Sequence, residues 1–131
     1  MFLAYQNLVI RNATEGDAQQ LCTWWNDGKI MAHAGYYNGL GITTEQAAKS
    51  FAEDDEKSRR HVIEYDDKPI GEMNYRTPED KVARIGIKIC DFAVQEKGLG
   101  TILLTIFIDA LFSHYGYEKN RDSPSLPYIT K

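Results

Sequence analysis

Cysteine is scarce: the chain has two, Cys22 and Cys90, far apart and outside any metal-ligand spacing. That argues against a disulfide-stapled scaffold and against a cysteine zinc site, and leaves two reduced, buried thiols as the plain reading. Long apolar runs are also missing. The most apolar window, Leu99 to Phe112, is too short to span a membrane and carries Thr101, Thr105 and Asp109. The opening Met1-Phe2-Leu3-Ala4-Tyr5-Gln6-Asn7 has no basic segment followed by an extended apolar one, so no signal peptide is read there and a cytoplasmic protein is expected. Positive charge is in deficit, with 15 Lys and Arg against 19 Asp and Glu, a net charge of −4. Binding nucleic acid needs the opposite excess, so neither nucleic acid nor membrane is an expected partner. A neutral or cationic partner is steered better by such a surface.

What is present suits one globular domain: 43% of the 131 residues are apolar and 26% charged. Leu8-Val9-Ile10-Arg11 reads as a first strand. Thr14 with Asp17 forms a helix-start pattern, and the helix should run through Trp24 and Trp25 until Asn26-Asp27-Gly28 ends or interrupts it. One tryptophan is expected in the core and the other near a pocket or interface. Gly35, Gly39 and Gly41 with Tyr36 and Tyr37 mark a loop that also holds His33. A second helix should run from Thr43 or Thr44 to about Glu53, followed by the solvated acidic run Glu53-Asp54-Asp55-Glu56. His61 to Tyr65 and Pro69 to Arg76 read as a hairpin around Asp66-Asp67-Lys68, Thr77-Pro78-Glu79-Asp80 as a turn, and Val82 to Cys90 as a strand. An apolar helix from Leu99 to Phe112, ended by Gly116, completes the order β-α-α-β-β-β-α.

Six residues between that last strand and helix stand out: Gln95-Glu96-Lys97-Gly98-Leu99-Gly100. Glycines let the backbone approach a ligand closely, and the first turn of a helix offers unpaired N–H groups and partial positive charge to a diphosphate. Thr101 adds a hydroxyl. Taken alone, the spacing Q-x-x-G-x-G equally describes a tight strand-to-helix connection.

In its setting, however, the pattern resembles the acyl-CoA signature of the GNAT superfamily of N-acyltransferases. Asp67-Lys68-Pro69-Ile70-Gly71 resembles that family's central hairpin, and Ala83-Arg84-Ile85-Gly86-Ile87-Lys88-Ile89 its fourth strand. Thr14-Glu15 with Asp17 and Trp24-Trp25-Asn26-Asp27 are similar to a bacterial branch that includes ribosomal-protein and aminoglycoside acetyltransferases. The resemblance covers roughly residues 8 to 119. It implies an α/β fold with a mixed, mostly antiparallel sheet flanked by helices, and acetyl-CoA as cosubstrate with no metal. The acceptor implied is a small-molecule or protein amine. It further implies that Gln95, Glu96, Lys97, Gly98, Leu99, Gly100 and Thr101 hold the pyrophosphate, and that Ile89, Cys90 and Asp91 pair through their backbone with the pantetheine arm.

After Lys119 the text departs from the family. Asn120 to Lys131 is rich in proline, serine and charge where relatives continue with strands and a helix. Residues 1–119 are therefore read as a partial acyltransferase domain lacking its usual C-terminal strands, and 120–131 as an atypical tail produced by truncation, a frameshift or natural shortening. The departure removes the segment where many relatives carry the tyrosine that protonates the thiolate. Arg84 also stands where many have a glutamate base. Glu72 and Asp91 remain as candidate bases, each with a plain alternative: an exposed strand carboxylate, and a cap on the bend after the strand. The expected activity is acetyl transfer to a primary amine. The alternative is a catalytically impaired acyl-CoA-binding remnant. A homodimer is expected, because the missing fifth strand leaves one edge of Val82 to Cys90 unpaired and the apolar helix is wider than one contact stripe requires; the alternative is that Leu126-Pro127-Tyr128-Ile129 folds back to cover both.

Overall fold

The computed structural model describes residues 2–32, 35–51, 54, 58–79, 81–91, 94, 97–114 and 119–120. The chain forms two compact units, Met1–Asn12 with Asp55–Lys131, and Ala13–Asp54. The first unit is built on a six-stranded sheet in the order β1-β2-β3-β4-β5-β6. Its strands are β1 (Phe2–Tyr5), β2 (Leu8–Asn12), β3 (Ser58–Tyr65), β4 (Lys68–Glu79), β5 (Val82–Ile89) and β6 (Lys119–Asn120). All neighbours are antiparallel except β5 and β6, which run parallel.

β1 is a strand the sequence reading lacked. Gln6 takes a positive φ of 52° in the two-residue connection that pairs Tyr5 with Leu8. The next hairpin is the expected one. Asp66 and Asp67 have φ of 51° and 65°, the left-handed pair that a two-residue turn needs to match the strand twist. β4 runs on to Glu79, through the Thr77-Pro78-Glu79 segment expected as a turn. A register shift between Arg76 and Glu79 accommodates proline there, since it has no N–H to give to the ladder. β6 pairs Lys119 with Val82 and Asn120 with Ala83, so the β5 edge expected to be bare has a short parallel partner over its first two residues.

A bulge in β4 sets the geometry that matters later. Ile63 lies opposite Gly71 and Glu64 opposite Pro69, which leaves Ile70 as the extra residue. The bulge turns Ile70 to the same side as Met73 and Tyr75 in spite of the odd spacing, and all three are at most 1% exposed. Against this side lies the helix Leu99–His114. Leu103, Phe107 and Leu111 reach into a core shared with Leu8, Ile10 and Ile63. The opposite side of the sheet is polar. Arg11 Nε lies 3.2 Å from Glu64 Oε2, and Lys88 Nζ lies 3.9 Å from Glu72 Oε1.

In the second unit the Thr14 N–H donates to Asp17 Oδ2 at 2.8 Å, as the helix-start pattern requires. A single 3-10 turn (Glu15–Asp17) leads into α1 (Ala18–Trp25). A new helix then starts at once, α2 (Gly28–Met31), capped by Asp27 Oδ1, which accepts from the Lys29 N–H at 2.8 Å. In α3 (Thr44–Phe51) the start is again reciprocal, with Gln46 N–H donating to Thr43 Oγ1 and Thr43 N–H to Gln46 Oε1. Trp24 and Trp25 are both buried, at 7% and 8% exposure, so the expected division between core and pocket does not hold. Neighbouring residues on a helix can share burial only when more than one side is covered, and α2 and α3 both pack beside α1. Helix Leu99–His114 is hereafter α4. No helix among the described residues is long and apolar enough to cross a membrane.

Candidate functional site

The strand-to-helix connection begins where β5 ends. The N–H groups of Cys90 and Asp91 both donate to the Ile70 carbonyl, at 2.7 and 3.0 Å, so the β4 bulge anchors the last turn of the strand. The Asp91 carbonyl then accepts from the Val94 N–H at 3.1 Å, which bends the chain back toward α4. Val94 and Leu99 are buried in the sheet-side core and hold the connection from below. Above them, Gly98 takes φ of 71°, a left-handed conformation that costs a residue with a Cβ about 1–2 kcal/mol. A Cβ placed on either Gly98 or Gly100 would meet nothing within 4 Å. The turn is therefore exposed backbone at the mouth of a helix. The first four N–H groups of α4 have no partner inside the helix. Lys97, exposed beside them, adds positive charge. A diphosphate suits all three features, and no described side chain fills the space it needs.

Residues 7–121 match the sequence profile of the Acetyltransferase (GNAT) domain. The chain belongs to the GNAT acetyltransferases.

Solved structures agree on the fold. A spermidine N-acetyltransferase from Vibrio cholerae in complex with CoA and spermine superposes with a TM-score of 0.70 at 22% identity, covering 88% of this chain and 70% of that one. The aminoglycoside acetyltransferase AAC(6')-Ib in complex with coenzyme A gives 0.69 at 21% identity, over 86% and 72%. A domain from Methanocaldococcus jannaschii gives 0.70 at 19% identity, over 86% and 74%. At these identities the likeness is one of fold. No curated protein sequence matches the chain significantly.

Within this GNAT domain the glycine turn stands at the place the sequence indicates, though Gln95 and Glu96 lie outside the described residues. Lys97, Gly98, Gly100 and Thr101 are accessible there, while Leu99 faces the core. Ile89, Cys90 and Asp91 end β5 next to the turn. The N–H groups of Cys90 and Asp91 both donate to the Ile70 carbonyl.

Of the two carboxylates, Glu72 departs from its plain reading. Glu72 is 8% exposed, not an exposed strand residue. It lies opposite Lys88 in register and pairs with that ammonium on the polar side of the sheet. Asp91 has its carboxylate 3.5 Å from Lys68 Nζ. Glu72 lies within β4 opposite Lys88, and Asp91 follows two residues after the end of β5. Arg84 is exposed and opposite Arg76, and no carboxylate takes its place. Cys90 is buried with its thiol 3.9 Å from the Lys88 carbonyl, and Cys22 is buried near the Ile42 carbonyl, which is packing and not nucleophilic geometry. His33 falls outside the described residues.

The residue missed is His61. It lies inside β3 rather than opening it, and it is fully buried. Its ring is 5.2 Å edge-on from Phe107 of α4 and 5.8 Å from Tyr75. Burial, the largest influence, lowers its pKa from 6.5 to about 4. The signal was in the sequence: the positions on either side of the Asp66-Asp67 turn pair Ile63 with the core, and two residues earlier on the same side is 61.

Proposed function

We propose that this domain is an N-acetyltransferase that moves an acetyl group from acetyl-CoA to a primary amine. The observation that carries the reading is the open turn at Gly98 and Gly100, aimed by the β4 bulge, at the start of α4 in a GNAT chain. Acetyl-CoA supplies the activated thioester. The backbone N–H groups from Glu96 to Thr101 bind its diphosphate, with Lys97 as a countercharge. The pantetheine arm runs along Ile89, Cys90 and Asp91 by contact, because Ile70 takes the N–H groups of the latter two. The amine attacks the thioester carbonyl, its proton leaves to water or to Glu72 or Asp91, and the thiolate departs. Holding the two reactants together accounts for much of the acceleration, so neither covalent intermediate nor metal is required. The solved relatives named for spermidine and aminoglycosides support an amine acceptor of low molecular weight, and the net negative charge favours a cation.

A specific observation supports a second reading, an acyl-CoA-binding domain impaired in catalysis. Both candidate bases already face an ammonium, Glu72 that of Lys88 and Asp91 that of Lys68, so each carboxylate is engaged within the sheet before any amine arrives. Thiol release from acetyl-CoA with a panel of primary amines separates the two. The transferase releases CoA only with some amines. The binding domain retains affinity for CoA in calorimetry and releases no thiol with any. Loss of CoA binding itself overturns both.

The homodimer is part of the proposal. Its support is the breadth of the apolar face of α4, where Ile102 is 36% exposed and Leu104, though packed against the core, is only partly buried.

A further inference from the structure

A cavity lies on the same unit as the glycine turn and away from it. It is an open cleft of about 330 Å³ between β1 and α4, lined by Leu3, Ala4, Tyr5, Thr105, Ile106, Asp109 and Ala110. That volume is at the small end of ligand sites. Residues 105, 106, 109 and 110 share one side of a helix, and Leu3 and Tyr5 share one side of a strand, so both walls are regular elements. The floor is apolar, from Leu3, Ile106 and Ala110. The polar side chains are Asp109, Thr105 and Tyr5. Asp109 presents an exposed carboxylate with no cation paired to it among the described residues. Thr105 has already spent its hydroxyl proton on the Thr101 carbonyl at 2.7 Å, so its oxygen can only accept. Tyr5, 46% exposed, offers a ring face and a hydroxyl oxygen. Acceptors over an apolar floor, with an aromatic face alongside, recognise a cation that carries an apolar body.

We propose that the cleft between β1 and α4 binds a small organic cation, a primary ammonium on an aromatic or aliphatic body of roughly ten heavy atoms. The ammonium sits between Asp109 and Thr105 and against the Tyr5 ring, and the body covers Leu3, Ile106 and Ala110. This is not the acceptor position of the proposed reaction. β1 and β5 are separated by four strand spacings, about 19 Å. Along α4 the cleft begins about 8 Å beyond Gly100. Both sites nonetheless share α4, so the cleft places a cation sensor on the helix whose other end holds the diphosphate.

The test uses the full chain, labelled with nitrogen-15, and three probes of similar shape: phenethylammonium, 3-phenylpropionate and 2-phenylethanol. With phenethylammonium, amide signals of Leu3 to Tyr5 and Thr105 to Ala110 shift and saturate. The alcohol shifts them weakly and the carboxylate not at all. Asp109→Asn, at an exposed position, weakens phenethylammonium about fivefold and leaves acetyl-CoA affinity unchanged. The proposal is overturned if the carboxylate binds as well as the ammonium, if Asp109→Asn binds it unchanged, or if saturating shifts appear only around β5 and the glycine turn. That last result places the amine at the acceptor site and leaves the transferase reading intact. Acetyl-CoA binding lost with cleft binding retained fails the transferase reading alone.

Discussion

The imidazole of His61 lies with Nδ1 3.3 Å from the Met73 carbonyl, so the neutral ring carries its proton there and donates. Nε2 is buried with no hydrogen-bond partner among the described residues. Protonating it puts a charge into the core beneath α4. The folded pKa is about 4 against 6.5 unfolded, chiefly through burial, with nearby positive charge, Arg59 included, acting in the same direction and the Met73 bond opposing in part. The unfolded chain therefore takes up a proton first as pH falls. Stability that is fully present above pH 6.5 is lost as pH drops toward about 4, by on the order of 3 kcal/mol. Urea midpoints measured across that window should fall steeply for the wild type. His61→Asn keeps the donor to Met73 and should be less stable throughout but flatter with pH; an unchanged slope would assign the acid sensitivity elsewhere. At the other two titratable positions, Glu72→Gln and Asp91→Asn report on chemistry. If either accepts the proton, thiol release falls by about 10²-fold or more in that variant. Rates within about twofold in both would leave water as the acceptor.

At the scale of elements, the turn and the bulge make different demands on their glycines. Around Gly100 there is room for a Cβ, so Gly100→Asp should fold normally, with a melting temperature near wild type. It should nevertheless weaken CoA binding by at least about tenfold, since a carboxylate would stand beside a diphosphate. Unchanged affinity in calorimetry would remove the turn from the site. Gly71 shows the reverse. A Cβ there would lie 2.2 Å from the Lys88 carbonyl, within the β4–β5 pairing that also brings Lys88 to Glu72. Gly71→Ala should cost about 1–3 kcal/mol in denaturant titration, because backbone and not a flexible side chain must move. The hairpin, the α3 start and the α4 helix were legible because each rests on local chemistry: paired left-handed residues, a reciprocal cap, a helical apolar repeat. β1 and α2 were not, being short and lacking a strong periodic signal. The bulge was invisible because it depends on which residue of β4 faces which residue of β3.

At the scale of the whole molecule, the expected homodimer is checked by light scattering at micromolar protein, where twice the mass of 14.9 kDa should be read. A monomer that persists on dilution would count against it, and would leave Ile102 as an isolated exposed residue of the kind any surface carries. The sequence by itself determined the family, the element types over most of the chain, and the position of the glycine turn between β5 and α4. Glycine spacing, caps and apolar periodicity act within a few residues and can be read in line. Tertiary structure alone decided that Glu72 is buried against Lys88, that both tryptophans are covered, and that His61 sits uncharged between Tyr75 and Phe107. It also decided that Ile70 takes the N–H groups of Cys90 and Asp91. Each of these depends on strand register or on a neighbour far away in the chain, and burial, charge pairing and proton affinity follow from what packs alongside.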